Sequence, residues 1–264
     1  MSKNVTSKSE PAFVPTAEAK KQAGKFRMLG VLFWVLAIAA QIGAIMVLLK
    51  GANADDPWPG PDGTMFWVLI IGLMAVDLIL VIVGSSFWKK SNRLDPASEK
   101  NKLRFLIQNQ LGVVAAIVAF LPLVLFILMN KDLEGKHKTI LTAIASAFLA
   151  AAVIPSIDFD PPSQESYAAQ SFEVQMLMDK DEVYWAKASK KFHLDKECGA
   201  IKNSKEVFDG TVQKAHEDYN IKDLCSHCRN KAMKAKNITE DQIQAEKTAR
   251  GLLDAPQEVP QDEE

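Results

Sequence analysis

The chain has 264 residues, a formal net charge of −1 and a mean hydropathy near zero. These averages hide a division, because apolar residues crowd into the first 157 positions and charged residues into the remainder. A near-neutral charge gives no whole-chain reason to expect nucleic acid as a partner. An odd count of three cysteines does not fit a disulfide framework and favours a reducing compartment.

The first part of the chain predicts a membrane domain at 20–157. Residues 1–19 lack apolar periodicity and are predicted to be disordered. Four apolar runs follow, of about the length that crosses a bilayer core of about 30 Å. The predicted spans are 28–49, 65–88, 106–129 and 139–157. Ala52-Asn53-Ala54 is similar to a signal-peptidase site, but the run before it is longer than a signal sequence needs, so we expect an uncleaved first span.

Basic residues predict the orientation of these spans. Six Lys or Arg precede the first span and six lie at 89–104, against one and three in the other two connections. The positive-inside rule places the N-terminus in the cytoplasm, and four spans return the C-terminus to that side of the bacterial inner, or plasma, membrane. Asp95 and Pro96 are predicted to be the N-cap and first residue of the third helix.

The remainder is predicted to contain a linker, a small module and a tail. The linker covers 158–180, with a short helix at 164–179 after the paired prolines. The module covers 181–236, with a hairpin about Ala188 and Ser189 and a helix in GTVQKAHEDY. Residues 237–264 begin with a capping box and a polar helix and end in an acidic tail.

The module contains all three cysteines, in a spacing typical of a metal site. His193 and Cys198 come first, and Cys225 and Cys228 form a later CxxC pair. Three thiolates and an imidazole are the donors that tetrahedral Zn²⁺ prefers. The alternative is ordinary buried cysteines with a surface histidine, but the module has few apolar residues and a metal would supply the missing stability.

Two other histidines compete with His193 for the fourth position. His227 lies inside the CSHC turn, where its side chain would point away from a metal held by its neighbours. His216 lies in the predicted helix and ranks second. We therefore predict His193, Cys198, Cys225 and Cys228 as the ligands.

The run VYWAKASKKFH, then Cys198, then Asn203-Ser204-Lys205, then AHEDYNIKDLCSHC resembles the small modules of the Ada metal-binding type. The resemblance implies a hairpin, a later helix and a zinc site. His193 stands where the Ada repair protein has its methyl-accepting cysteine, so methyl transfer is not implied. The whole chain is also similar to bacterial membrane proteins that join four spans to such a module, a family that carries no activity to transfer.

The polar residues Gln41 and Asp77 lie deep inside two of the predicted spans. Asp77 is near the middle of the second span, and Gln41 of the first falls within about one helical turn of the same depth. A hydrogen bond between them is therefore possible. Asp77 is either a proton or cation site or a protonated acid that holds helices together.

Basic residues follow the CxxC pair at Arg229, Lys231, Lys234 and Lys236. They form either a solvated helix face or a contact with an anion. Because the module is tethered to the bilayer and lacks interleaved aromatics, anionic lipid at the cytosolic face is favoured over nucleic acid. The sequence indicates neither a protein partner nor an oligomeric state.

The expected fold is mainly α, a four-helix transmembrane bundle followed by a small cytosolic α+β zinc module. The expected function is a tethered binding or sensing element with structural Zn²⁺. An enzyme is not expected, since the soluble half shows no catalytic triad order, phosphate-binding glycine loop or paired catalytic carboxylates. The alternative is a small transporter or channel-like protein that uses Asp77.

Overall fold

The structure is a computed structural model that describes residues 13–53, 57–187, 189–219 and 221–253. The predicted acidic tail, Ala54 of the signal-peptidase sequence and Ala188 of the predicted hairpin turn lie outside these ranges. The described residues form eight helices and four short strands. The helices are α1 Ala17–Ala52, α2 Thr64–Leu94, α3 Lys102–Met129, α4 Gly135–Ser156, α5 Gln164–Met178, α6 Val212–Tyr219, α7 Ser226–Lys236 and α8 Glu240–Ala249. The strands are β1 Val183–Ala186, β2 Lys191–Phe192, β3 Val207–Gly210 and β4 Asp223–Leu224.

The chain divides into two compact units. The membrane unit contains Lys20–Asp95 and Leu103–Pro161. The C-terminal unit contains the described parts of Met1–Ala19, Pro96–Lys102 and Pro162–Glu264.

The membrane unit contains the four helices that are long and apolar enough to cross a membrane, α1 to α4. Each continues past its predicted apolar run at one end or both, because the flanking residues also favour helix and the backbone groups there can remain paired. Glycines allow close packing of α1 on α2. A Cβ at Gly84 would lie 2.7 Å from the Trp34 ring, and one at Gly30 would lie 3.1 Å from the Gly84 carbonyl oxygen.

The connection between α2 and α3 corrects one sequence prediction. Asp95 and Pro96 do not begin α3, because Asp95 is the C-cap of α2 and its N–H donates to the Ser91 carbonyl at 3.0 Å. The Asp95 carboxylate instead pairs with Arg27 at 3.0 Å. Helix α3 begins only at Lys102.

The C-terminal unit corrects the predicted hairpin. Strand β1 pairs antiparallel with β3, and β2 pairs in parallel with β4. Between the two predicted hairpin arms, the described residues form a single antiparallel bridge, in which Tyr184 and His193 exchange backbone hydrogen bonds of 2.8 and 2.7 Å. All four residues of β1 therefore pair with β3, a strand about twenty residues further along the chain.

Helix α5 lies within the segment that the sequence assigns to a linker. Its Ser163 N-cap and Ser166 form a capping box, and its Val174 and Leu177 are fully buried in the same core as Trp185 and Phe192. The helix is therefore a structural part of the C-terminal unit.

Two segments from other parts of the chain also belong to the C-terminal unit. Phe13 packs edge-on against Tyr167 at 5.0 Å, and Thr16 Oγ1 donates to Glu217 at 2.7 Å, although composition predicts disorder at 13–19. From the connection at 96–102, Ser98 donates to Glu165, and so does the Glu99 N–H at 2.8 Å. Three segments that α1 to α4 separate in sequence thus form one compact unit.

Candidate metal centre

Four predicted ligands converge in the C-terminal unit. One donor atom from each of His193, Cys198, Cys225 and Cys228 lies within 4.8 Å of the others, and all four residues are buried. Cys228 Sγ is 3.7 Å from His193 Nδ1. A tetrahedral zinc with Zn–S of about 2.3 Å and Zn–N of about 2.0 Å has S···N edges of about 3.5 Å. This one edge therefore fits a tetrahedral site, and the other donor pairs lie within 4.8 Å of each other.

Short backbone elements position the four ligands. His193 follows β2, where its backbone is fixed by the bridge to Tyr184. Cys225 is the N-cap of α7, and its N–H donates to the Phe192 carbonyl at 2.8 Å. Cys228 lies in the first turn of α7. Cys198 lies in a separate turn, where its backbone N–H donates to the Asp195 carbonyl oxygen at 3.1 Å. Apolar residues enclose the cluster, including Phe192, Leu194 and Ile201.

The local electrostatics favour metal-binding protonation states at two of the ligands. Burial and then nearby Lys191 lower the pKa of His193, which keeps the imidazole neutral as a metal ligand requires. Burial raises the pKa of Cys225, but backbone N–H groups of Cys228 and His227 and neighbouring thiols lower it, and the net shift is downward. Burial raises the pKa of Cys228 to about 12, so this sulfur needs a cation beside it to be a thiolate at neutral pH.

The other two histidines of the module lie outside the cluster. His227 is exposed, as expected from its place in the CSHC turn. His216 is buried, with its Nδ1 2.5 Å from the Ile221 carbonyl oxygen and its ring stacked on Tyr167 at 3.8 Å. Burial lowers the pKa of His216 to about 4, so it is neutral at physiological pH. Its role in the described structure is packing within the core.

A charged network beside the cluster has no signal in the sequence. Arg229, directly after Cys228, pairs with Glu173 of α5 and, at 2.5 Å, with Glu240 of α8. Glu173 is buried and also pairs with Lys247. The network therefore joins α7, which carries two ligands, to α5 and α8. Its members are far apart in sequence and follow no motif spacing, so only the fold reveals it.

The basic residues after Cys228 lie mostly in ion pairs. Besides Arg229, Lys231 pairs with Asp195 at 3.1 Å and Lys236 pairs with Asp179 at 2.7 Å. Of the four, Lys234 alone lacks an ion pair within the described ranges, and it is exposed. Much of the positive charge that the sequence places here is therefore neutralised locally.

Asp77 and Gln41 are both buried in the membrane unit. Asp77 is 1% exposed and Gln41 is 4% exposed. The possible hydrogen bond between them is not formed, since Asp77 Oδ1 and Gln41 Nε2 have no partner among the described residues.

Comparison with known proteins adds no homologue. No protein-family model, curated protein or solved structure matches the chain significantly. The Ada-type resemblance therefore stays a prediction carried by the residues quoted above.

Proposed function

We propose that this protein is an integral membrane protein that holds a Cys3His zinc module at the cytoplasmic side of the cell membrane. The module is a binding or sensing element rather than an enzyme. The observation that carries the proposal is the convergence of His193, Cys198, Cys225 and Cys228, with all four donors buried and within 4.8 Å.

The donor set supports zinc in a structural role. Three sulfurs and one imidazole nitrogen suit Zn²⁺, whereas Mg²⁺ and Ca²⁺ prefer oxygen ligands. Catalytic zinc usually has three protein ligands and an open position for water. Four protein donors enclosed by Phe192, Leu194 and Ile201 leave no such position, which supports a metal that holds the fold together.

The chain segments that form the C-terminal unit support the proposed orientation in the membrane. Thr16 and Glu99 each hydrogen-bond to the segment after α4, and a single compact unit cannot lie on both sides of a membrane. The chain must then cross the membrane an even number of times between one segment and the next. Two spans, α1 and α2, separate the first pair of segments, and α3 and α4 separate the second pair. The basic residues before α1 and at 89–104 favour the cytoplasm for that side.

Reporter fusions test the sidedness. Fusions after Ser91 and at the C-terminus should report the cytoplasm, and fusions after Gly63 and Leu133 should report the outside. A C-terminus found outside would contradict the proposal, because the cysteines would then face an oxidising compartment.

Elemental analysis of the purified full-length protein tests the metal. We expect one zinc per chain, its loss in the Cys225→Ser, Cys228→Ser double variant, and strongly weakened binding in His193→Ala. His227→Ala is the matched control, because this exposed histidine lies between the same two cysteines and should keep the metal. Stoichiometric zinc retained by the double cysteine variant would overturn the site.

A further inference from the structure

The interior of the membrane unit is apolar toward one end and polar toward the other. The buried face of α2 begins with apolar residues and, from its middle onward, includes polar ones: Phe66, Ile70 and Met74, then Asp77, Ser85, Ser91 and Asn92. Asn109 near the start of α3 and Ser156 at the end of α4 lie at the same end as Asn92, as Asn92 Nδ2 donates to Asn109 Oδ1 at 3.2 Å. Leu123, Ile127 and Leu141 are buried toward the opposite end.

The packing of α1 on α2 places Gln41 at the level of Asp77. Ala37 and Val81 share one buried cluster, and Ala44 and Met74 share the next. These antiparallel pairs bracket Gln41 and Asp77, which lie four residues after Ala37 and four before Val81. The amide and the carboxyl therefore occupy one layer of the helix interface.

The other two helices supply aromatic rings to that layer. Ser85 Oγ and Ser156 Oγ are 3.0 Å apart, and a Cβ at Gly112 would lie 3.0 Å from Ser85 Oγ. Asp77 lies eight residues from Ser85 along α2. The same distance in the same direction leads from Ser156 to Phe148 on α4 and from Gly112 to Phe120 on α3. The two rings stack at 6.4 Å. The layer thus contains one carboxyl, one amide and two phenyl rings.

Charge balance in this layer favours a proton as the ligand of Asp77. The apolar stretches 28–49, 65–88, 105–129 and 139–157 contain no other charged residue and no histidine. An ionised carboxylate without a counter-charge is costly here. A hard divalent cation takes about six or more oxygen ligands, and the side chains of this layer offer only those of Asp77 and Gln41.

We propose that Asp77, which lies in one layer with Gln41, is a proton-binding carboxyl that exchanges its proton with the polar end of the membrane unit by way of Ser85 and Ser156. Buried polar atoms that have no hydrogen-bond partner in the described part of the chain lie along this route: Asn92 Oδ1, Asn109 Nδ2, Trp34 Nε1, Gln41 Nε2 and Asp77 Oδ1. Such atoms are where buried water binds.

The gap between Ser85 and Asp77 is lined by small side chains. It measures about 12 Å along α2. At its centre Val81 lies at the level of three alanines, Ala37, Ala116 and Ala152, one from each neighbouring helix. Alanine has the smallest side chain after glycine, so these three positions obstruct a transient chain of water molecules least. In the apolar half of the membrane unit, Thr142 Oγ1 is the one buried polar side-chain atom without a hydrogen-bond partner among the described residues.

Infrared spectroscopy of the full-length protein in lipid nanodiscs tests the site. The wild type should show the C=O stretch of a protonated carboxyl at neutral pH, and Asp77→Asn should lose it. Asp77→Glu should shift the band, which assigns it even if the asparagine variant folds poorly. Asp132→Asn, which changes an exposed carboxyl between α3 and α4, should keep it. Absence of a protonated-carboxyl band that depends on Asp77 would overturn the proposal.

Exchange of this proton for deuterium tests the route. In D₂O the band should shift, and the Ser85→Ala, Ser156→Ala double variant should exchange severalfold more slowly than the wild type. Thr142→Val is the matched control on the apolar half and should leave the rate unchanged. An unchanged rate in the serine variant, or a slower rate in Thr142→Val alone, would overturn the proposed direction of access. Both experiments are independent of the metal centre.

Discussion

The two units of this chain build their interiors in opposite ways. In the membrane unit many large apolar side chains, such as Leu32, Ile79 and Leu125, are exposed, while alanines and glycines occupy much of the helix contacts. In the C-terminal unit Trp185, Phe192 and Ile221 are fully buried around the cysteine cluster. Lipid already solvates apolar side chains, so close packing stabilises the first unit, whereas burial and the proposed zinc stabilise the second.

The largest difference between the units should follow from metal removal. In the Cys225→Ser, Cys228→Ser variant, or after treatment with a strong chelator, the C-terminal unit should unfold, because structural zinc contributes on the order of 10 kcal/mol or more at neutral pH. Helices α1 to α4 should remain helical. Limited proteolysis should then cut within 181–236, with the membrane unit intact. Equal resistance of metal-loaded and metal-free protein would contradict this expectation, and His227→Ala should behave as the wild type.

The next effect is the difference in stability between losing a buried ion pair and losing an exposed one. Arg229 pairs with Glu173, whose side chain is 9% exposed, and with Glu240, whose side chain is 47% exposed. Glu173→Gln leaves Arg229 and Lys247 without their shared buried carboxylate and should cost about 3 to 5 kcal/mol. Glu240→Gln should cost less than about 1 kcal/mol.

Chelator competition for zinc in the full-length protein measures this difference, since unfolding of the C-terminal unit releases the metal. Glu173→Gln should lose zinc at a lower chelator concentration than Glu240→Gln. Equal effects of the two variants would show that the buried pair does not hold α7 in place.

A smaller effect should appear in the membrane unit when its close packing is disturbed. A Cβ at Gly84 would lie 2.7 Å from the Trp34 ring, whereas one at Gly72 of the same helix would meet no atom of another described segment within 4 Å. Gly84→Ala should therefore destabilise the helix bundle by about 1 to 3 kcal/mol, and Gly72→Ala should not. Thermal unfolding in nanodiscs measures the difference, and zinc content should stay constant in both variants. A Gly72→Ala loss as large as that of Gly84→Ala would contradict the packing account.

These contrasts show which features the sequence could predict. Apolar runs predicted the four helices because bilayer crossing depends on local composition, and ligand spacing predicted the cluster because zinc chemistry restricts the donors. The pairing of β1 with β3 was missed, since four residues do not specify a distant partner strand. Asp95-Pro96 was misread because the Asp95 carboxylate pairs with Arg27, a contact of long sequence separation. The ion-pair network around Glu173 was not predicted, because its contacts also join residues that are far apart in sequence.

A further predicted effect concerns the acid stability of the C-terminal unit. The pKa of His216 falls from its ordinary 6.5 to about 4 on burial, so the unfolded chain binds the proton more tightly. The stability that neutral His216 contributes is fully present above pH 6.5 and is lost as pH falls toward 4. The loss should reach about 2 kcal/mol at pH 5.

His216→Gln should flatten the pH dependence of stability between pH 6.5 and 5, with zinc content measured in parallel. The slope is the readout, because the variant also loses the ring stacked on Tyr167. An identical slope in both proteins would show that His216 does not titrate as its burial requires.

X-ray absorption spectroscopy at the zinc edge of the purified full-length protein tests the central claim most directly. A closed site made by His193, Cys198, Cys225 and Cys228 predicts three sulfur neighbours at about 2.3 Å and one nitrogen at about 2.0 Å. His193→Ala should replace the nitrogen or lose the metal. A zinc shell with oxygen ligands from water in the wild type, or a purified protein without zinc, would contradict the account.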